Sequence, residues 1–214
     1  MKPPLFVLAV VVALSSAHAS AKVVSFPADN FSIDTPEGWL PVPAPSTWPG
    51  SRVITAARNP TSGSAYLVLK AELPSTPVPA DFLAGALKRL TSNGLKASPL
   101  RDETINGRPF TVVSVSPDTG RPFMLMASTF TSKSAFVVET IAVNGNVEKT
   151  PELNAILHSF RFPQPVRSIS RHDTDLWNFS NPFIISYQLG RLAGILIIAI
   201  VVILLIKKVT QSSR

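Results

Sequence analysis

The chain has 214 residues, of which 45% are apolar and only 15% charged, against about 25% charged in an average globular protein. That balance excludes a disordered chain, a coiled coil and a highly charged scaffold. The absence of cysteine excludes disulfides, thiolate metal sites, cysteine nucleophiles and a lipid-modified cysteine.

Residues 1–19 read as a secretory signal. Lys2 supplies the positive start, and Leu5 to Leu14 form an apolar run of ten residues before the small-x-small pattern Ala17-His18-Ala19. Ten residues rise only about 15 Å as a helix, too little for a hydrocarbon core of about 30 Å. Cleavage after Ala19 is expected.

The exported domain is expected over residues 20–163. Strand-like stretches alternate apolar and polar residues, or are rich in β-branched and aromatic ones, at Lys22–Phe26, Asn30–Asp34, Arg52–Ala57, Ala65–Leu73, Pro109–Ser116, Pro122–Phe130 and Ala135–Val143. Turn chemistry separates them at Asn59-Pro60, Asn106-Gly107, Pro117-Asp118-Thr119-Gly120 and Asn144-Gly145. The short links from Pro109 to Val143 predict an antiparallel meander. A helix is predicted at Pro79–Thr91, with Phe82, Ala86, Leu87 and Leu90 on one face. A second begins with Thr150 as N-cap and Pro151 at the first helical position, and turns Leu153, Ile156, Leu157 and Phe160 inward. Few, one-faced helices must pack on a sheet. The fold class predicted is α+β: an antiparallel sheet flanked by helices, an α/β/α sandwich.

Residues 164–182 are polar and without period, and read as a stalk with a typical reach of roughly 25 Å. A single C-terminal transmembrane helix is expected over residues 183–206. Leu192 to Ile206 carries no charge, and Arg191 sits near the outer end, where its long side chain can snorkel to the headgroups. Lys207 and Lys208 close the run and place residues 207–214 in the cytoplasm. Five of the seven net positive charges (Lys2, Arg191, Lys207, Lys208 and Arg214) belong to these membrane segments, leaving +2 for Ser20 to Asn181. A domain so nearly neutral has no footprint for a phosphate backbone, so no nucleic-acid partner is expected.

The run Phe31-Ser32-Ile33-Asp34-Thr35-Pro36-Glu37-Gly38-Trp39 resembles the opening of the PsbP-like family. The ending Leu153 to Phe162, a short helix followed by Ser159-Phe160-Arg161-Phe162, is similar too, as is the order of strands, helix and meander between them. The resemblance implies an antiparallel sheet with helices on its faces, and binding or assembly of other proteins without catalysis. It carries over no catalytic or metal residue, because the matched positions are turn and core residues. The membrane tail departs from the soluble members of that family. Read from the residues, Phe31 and Ile33 are inward strand positions and Trp39 a ring covering one end of the sheet.

Little in the chain points to chemistry. No Gly-x-Ser-x-Gly elbow, His-Glu-x-x-His or phosphate-binding loop is present. His158 falls in the last turn of the second helix, where the helix dipole favours it. His172, Asp173 and Asp175 lie together in the stalk, where nothing would orient them as metal ligands. No cofactor, metal or catalytic residue is therefore expected. The notable segment is the loop Leu40 to Gly50, with four prolines and Trp48 near its tip. A stiff segment loses little entropy on docking, and tryptophan is enriched at binding hot spots, so Trp48, Pro43 and Pro45 are the candidate binding residues. The reading is a single-pass protein of the bacterial inner membrane with its N-terminal domain in the periplasm. It is expected to be a non-catalytic binding or assembly module for a protein partner at the outer face of that membrane. The alternatives are an exported domain that binds a small molecule between sheet and helix, and a hydrolase with an unrecognised site.

Overall fold

A computed structural model describes residues 21–43, 51–73, 79–118 and 120–170. The signal, the transmembrane segment and the tail expected from the sequence lie outside the described residues. Among the described residues no helix is long and apolar enough to cross a membrane.

Strands β1 (Ala21–Phe26) and β2 (Phe31–Pro36) form an antiparallel two-stranded sheet of their own. The remaining strands make one nine-stranded antiparallel sheet. They are β3 (Leu40–Pro41), β4 (Ser51–Arg58), β5 (Ala65–Glu72), β6 (Leu95–Ala97), β7 (Arg101–Ile105), β8 (Arg108–Pro117), β9 (Met124–Thr131), β10 (Ser134–Ile141) and β11 (Ser168–Ile169). The order runs β3-β4-β5-β10-β9-β8, after which β8 carries β6 and β7 along one edge and β9 carries β11. The helices are α1 (Pro79–Ser92) and α2 (Pro151–Ser159).

The predicted meander is β8-β9-β10, and β10 lies at the middle of the sheet. Every residue from Ser134 to Ile141 is buried, because both faces of this strand are covered. Its alternate side chains divide between two apolar clusters. Ala135, Val137 and Ile141 meet Phe82, Leu83 and Leu90 of α1. Phe136 and Val138 meet Phe31 and Ile33 of β2 and Leu153, Ile156, Leu157 and Phe160 of α2. The molecule therefore has three layers: α1 on one face of the sheet, and the β1–β2 hairpin with α2 on the other. The inward roles read for Phe31, Ile33 and Trp39 hold, with exposures of 0%, 0% and 8%.

Two segments far apart in the chain are joined in the second of these layers. Ser32 and Arg161 exchange backbone hydrogen bonds of 2.9 and 3.0 Å. The Arg161 guanidinium donates to Asp34 at 3.0 Å, and the Asp34 N–H donates to Ser159 Oγ at 2.8 Å. The Trp39 indole N–H donates to Glu152 Oε1 at 2.8 Å and its ring packs 5.8 Å from Tyr66. The opening and closing runs that carried the family resemblance thus form one packed unit.

The structure departs from the sequence reading at four short strands. β3 occupies the start of the stretch read as a loop, and β11 extends the sheet past Pro163, where the domain was expected to end. β6 and β7 were not anticipated. The Arg-Asp-Glu-Thr-Ile sequence of β7 has no apolar alternation and takes its strand form from its ladder to β8. That hairpin closes on Asn106-Gly107, with φ of 49° and 74°, the left-handed pair that a two-residue turn between right-twisted strands requires. Thr150 is the N-cap of α2, as read. Its hydroxyl, however, donates back to Asn146 O at 3.0 Å instead of accepting from the helix.

Candidate interaction surface

β3 is an edge strand, and Pro41 within it and Pro43 just after it define what that edge can do. Leu40 stands opposite Arg58 and Pro41 opposite Ala57, and the Val42 N–H donates to Ala56 O at 2.9 Å. In a strand the backbone groups of successive residues point to opposite sides. The hydrogen-bonding side of Val42 therefore faces β4, and positions 41 and 43 face outward. Both are proline, so the outer edge offers no N–H at either position. Natural sheets protect an edge from pairing with another chain in this way. Beyond Val42, the outer edge of β4 from Ser51 to Thr55 has no ladder partner among the described residues.

What this edge does offer is apolar surface. Leu40 is 47% exposed, and Pro41 and Pro43 are exposed beside it. Of the candidate binding residues, Pro43 is thus placed at the rim of the sheet, directly before the segment that carries Pro45 and Trp48. Those two lie outside the described residues, as do the membrane-segment residues Arg191, Lys207 and Lys208.

Several charged groups of the domain are engaged in structural pairs. Asp29, nearly buried, accepts from the Arg52 guanidinium and, at 3.2 Å, from the Lys70 ammonium; Lys70 also pairs with Glu72 at 2.6 Å. Burial would raise the Glu72 pKa, but the hydrogen bond and charge of Lys70, with help from Ser134 and Arg52, hold it below the ordinary value. The Lys70 ammonium also stands 5.7 Å over the Phe136 ring. Burial pushes the Tyr66 hydroxyl upward, against the lowering effect of its hydrogen bonds with Thr35 and Thr55.

His158 sits in the last turn of α2, as read, with both ring nitrogens occupied. Nδ1 lies 2.7 Å from Asn154 O, and Nε2 meets the carboxylate of Glu103. A histidine held at both nitrogens has neither free to activate a hydroxyl. Asp102 and Glu103 lie side by side on β7. Glu103 serves His158, and Asp102 borders a crevice of about 90 Å³ where β8 parts from β9 and β11 fills the gap. Thr111, Ser128, Phe130 and Ile169 line it as well. That is several times smaller than the pockets of roughly 300–1,000 Å³ that hold small-molecule ligands. Among the described residues no group of histidines and carboxylates is placed to hold a metal; His172, Asp173 and Asp175 lie outside them.

Glu139 belongs to no motif that the sequence displays. It shares the inward parity of Ala135, Val137 and Ile141 on the central strand, and this parity was the available signal.

No family model and no curated protein sequence matches this chain. Its fold is similar to the solution structure of cyanobacterial PsbP (CyanoP) from Synechocystis. The TM-score is 0.51 and the identity 15%, over 69% of this chain and 95% of that one. Weaker likenesses are to the Ran-binding protein Mog1p of Saccharomyces cerevisiae (TM-score 0.41, 10% identity, 67% and 96% of the two chains) and to a protein from Bacteroides thetaiotaomicron (0.37, 14%, 67% and 48%). The likeness to CyanoP bears on the fold, a mostly antiparallel sheet with few helices of the PsbP type.

Proposed function

We propose that this protein is a non-catalytic, membrane-anchored binding or assembly module that acts on a protein complex at the outer face of the bacterial inner membrane. In this reading the signal is removed, the three-layered domain stands in the periplasm, and the helix of residues 183–206 anchors it with Lys207 and Lys208 inside. The observation that carries the reading is the exposed apolar edge of Leu40, Pro41 and Pro43, which leads into the proline-rich run ending at Trp48. A partner meets this edge through side chains, since the prolines deny it the backbone donors that strand addition uses. The occupied nitrogens of His158 speak for binding over hydrolysis at that residue.

The test places a photo-crosslinking amino acid at Leu40, at Pro43 or at Trp48 in the full chain in its native membrane, with exposed Lys96 on the opposite side of the sheet as the control position. A discrete adduct from the first three positions and none from Lys96 supports the reading. Equal adducts from all four, or none, refutes it. The absence of native cysteine makes the topology directly readable. Cysteine introduced at Ser62 must react with an impermeant maleimide in cells with a permeable outer membrane. Cysteine at Ser212 must react only after the inner membrane is broken.

A further inference from the structure

The centre of the sheet contains a carboxyl group with no ion-pair partner among the described residues. Glu139 lies on β10 between Leu67 of β5 and Met126 of β9, and is 1% exposed. Its side chain takes the same side as Ala135, Val137 and Ile141, the side on which α1 packs Phe82, Leu83 and Leu90. The Oε2 atom is buried and has no hydrogen-bond partner among the described residues.

The surroundings explain why no charge is tolerated there. Apart from Glu139 itself, none of the residues that β10, β5 and β9 turn toward α1 is titratable, and on this face β4 places Arg58 opposite Ala65, two strands away from β10. Lys70 and Glu72 of β5 point to the opposite face, where Lys70 meets Phe136. β8 contributes Val113, Val115 and Thr111. The charged residues in the sequence of α1 are Asp81, Lys88 and Arg89, of which Lys88 is exposed. Asp102 of β7 shares the face but is exposed at its margin, separated from β10 by β8 and β9. Among the described residues no cation pairs with Glu139, so a carboxylate at this position suffers a heavy desolvation penalty.

We propose that Glu139 is a proton-dependent latch for the layer between α1 and the sheet: as a neutral carboxylic acid it lets α1 stay seated, and release of its proton to water loosens this layer while the α2 layer stays packed. Burial agrees with this, since it raises the Glu139 pKa from 4.5 to about 8. The sign follows from linkage. The folded chain holds this proton more tightly than the opened one, so closure is favoured below about 4.5 and progressively disfavoured as the pH climbs to about 8. The arrangement sets α1 to respond between about pH 4.5 and about pH 8. It does not depend on where the domain is anchored.

The experiment measures hydrogen exchange of the α1 and α2 amides in the full chain in detergent micelles from pH 5 to 9, corrected for the intrinsic chemical rate. The opening equilibrium of α1 is expected to rise about tenfold per pH unit up to about pH 8 and then level off. The α2 amides should follow a shallower slope, and Glu139→Gln should abolish the slope in α1. An α1 slope that persists in Glu139→Gln, a flat wild-type profile, or equal slopes in α1 and α2 each overturns the proposal. If Glu139→Gln does not fold, carboxyl-carbon NMR of the wild type decides. One glutamate titrating near 8 supports the latch, and all glutamates titrating in the ordinary range near 4 overturns it.

Discussion

Replacing Phe160 by alanine is expected to be among the most damaging single changes in the domain. Phe160 is fully buried, and its ring lies 5.2 Å from Phe31 in a stacked pair, 5.2 Å from Phe162, 5.8 Å from Phe110 and 6.0 Å from Phe136. It is the ring through which the closing segment, the opening strand β2 and the central strand β10 meet. Phe→Ala at such a site removes the transfer free energy of the ring and leaves a cavity that the surrounding rings cannot fill, costing about 3–5 kcal/mol. Edge-to-face and stacked pairs add roughly 0.5–1.5 kcal/mol each beyond burial, so the upper half of that range applies. Against a total of about 5–15 kcal/mol for a domain, this takes a large share of the stability. Equilibrium urea unfolding of the full chain in micelles, followed by far-ultraviolet circular dichroism, measures the loss. Phe160→Leu, which keeps most of the volume, should retain most of the stability. A loss below about 1.5 kcal/mol for Phe160→Ala, or equal losses for the two variants, would show that these rings do not act as one packed unit.

Two further outcomes follow from the same geometry. Trp39→Phe keeps a ring against Tyr66 but removes the donor to Glu152. It should cost about 1 kcal/mol in the same assay, and Glu152→Gln, which leaves an acceptor for the indole, should cost less. Replacing Pro41 and Pro43 together by threonine restores two outward N–H groups to the edge of β3. Sedimentation of the double variant should then show stronger concentration-dependent association than the native chain; an unchanged profile would mean that the prolines do not guard this edge.

The legible parts of the fold were those with a local cause. The β8-β9-β10 meander follows from apolar stretches separated by turn residues. The two helices follow from one-sided apolar spacing, with Pro151 at the start of the second and Asn93-Gly94 after the first. The turn between β7 and β8 follows from Asn106-Gly107. The core roles of Phe31, Ile33 and Trp39 were legible for the same reason, since strand parity alone sends the first two inward. Of the candidate site, Pro43 could be marked from proline density, but its effect on the edge could not. That effect depends on which side of β3 faces β4, a question of register.

The remainder depends on distant partners. β7 is a strand because β8 lies beside it, and β11 because β8 leaves an open stretch of β9. Neither segment carries a periodicity of its own, so no reading along the chain could find them. The burial of Asp29 beside Arg52 and Lys70, and of Glu139 among apolar side chains, is likewise set by what folds over them. Residue type and spacing govern which stretches can be helix or strand. Pairing between segments more than a hundred residues apart, such as Ser32 with Arg161, governs which polar groups lose water, and with them where an edge is closed and where a proton is held.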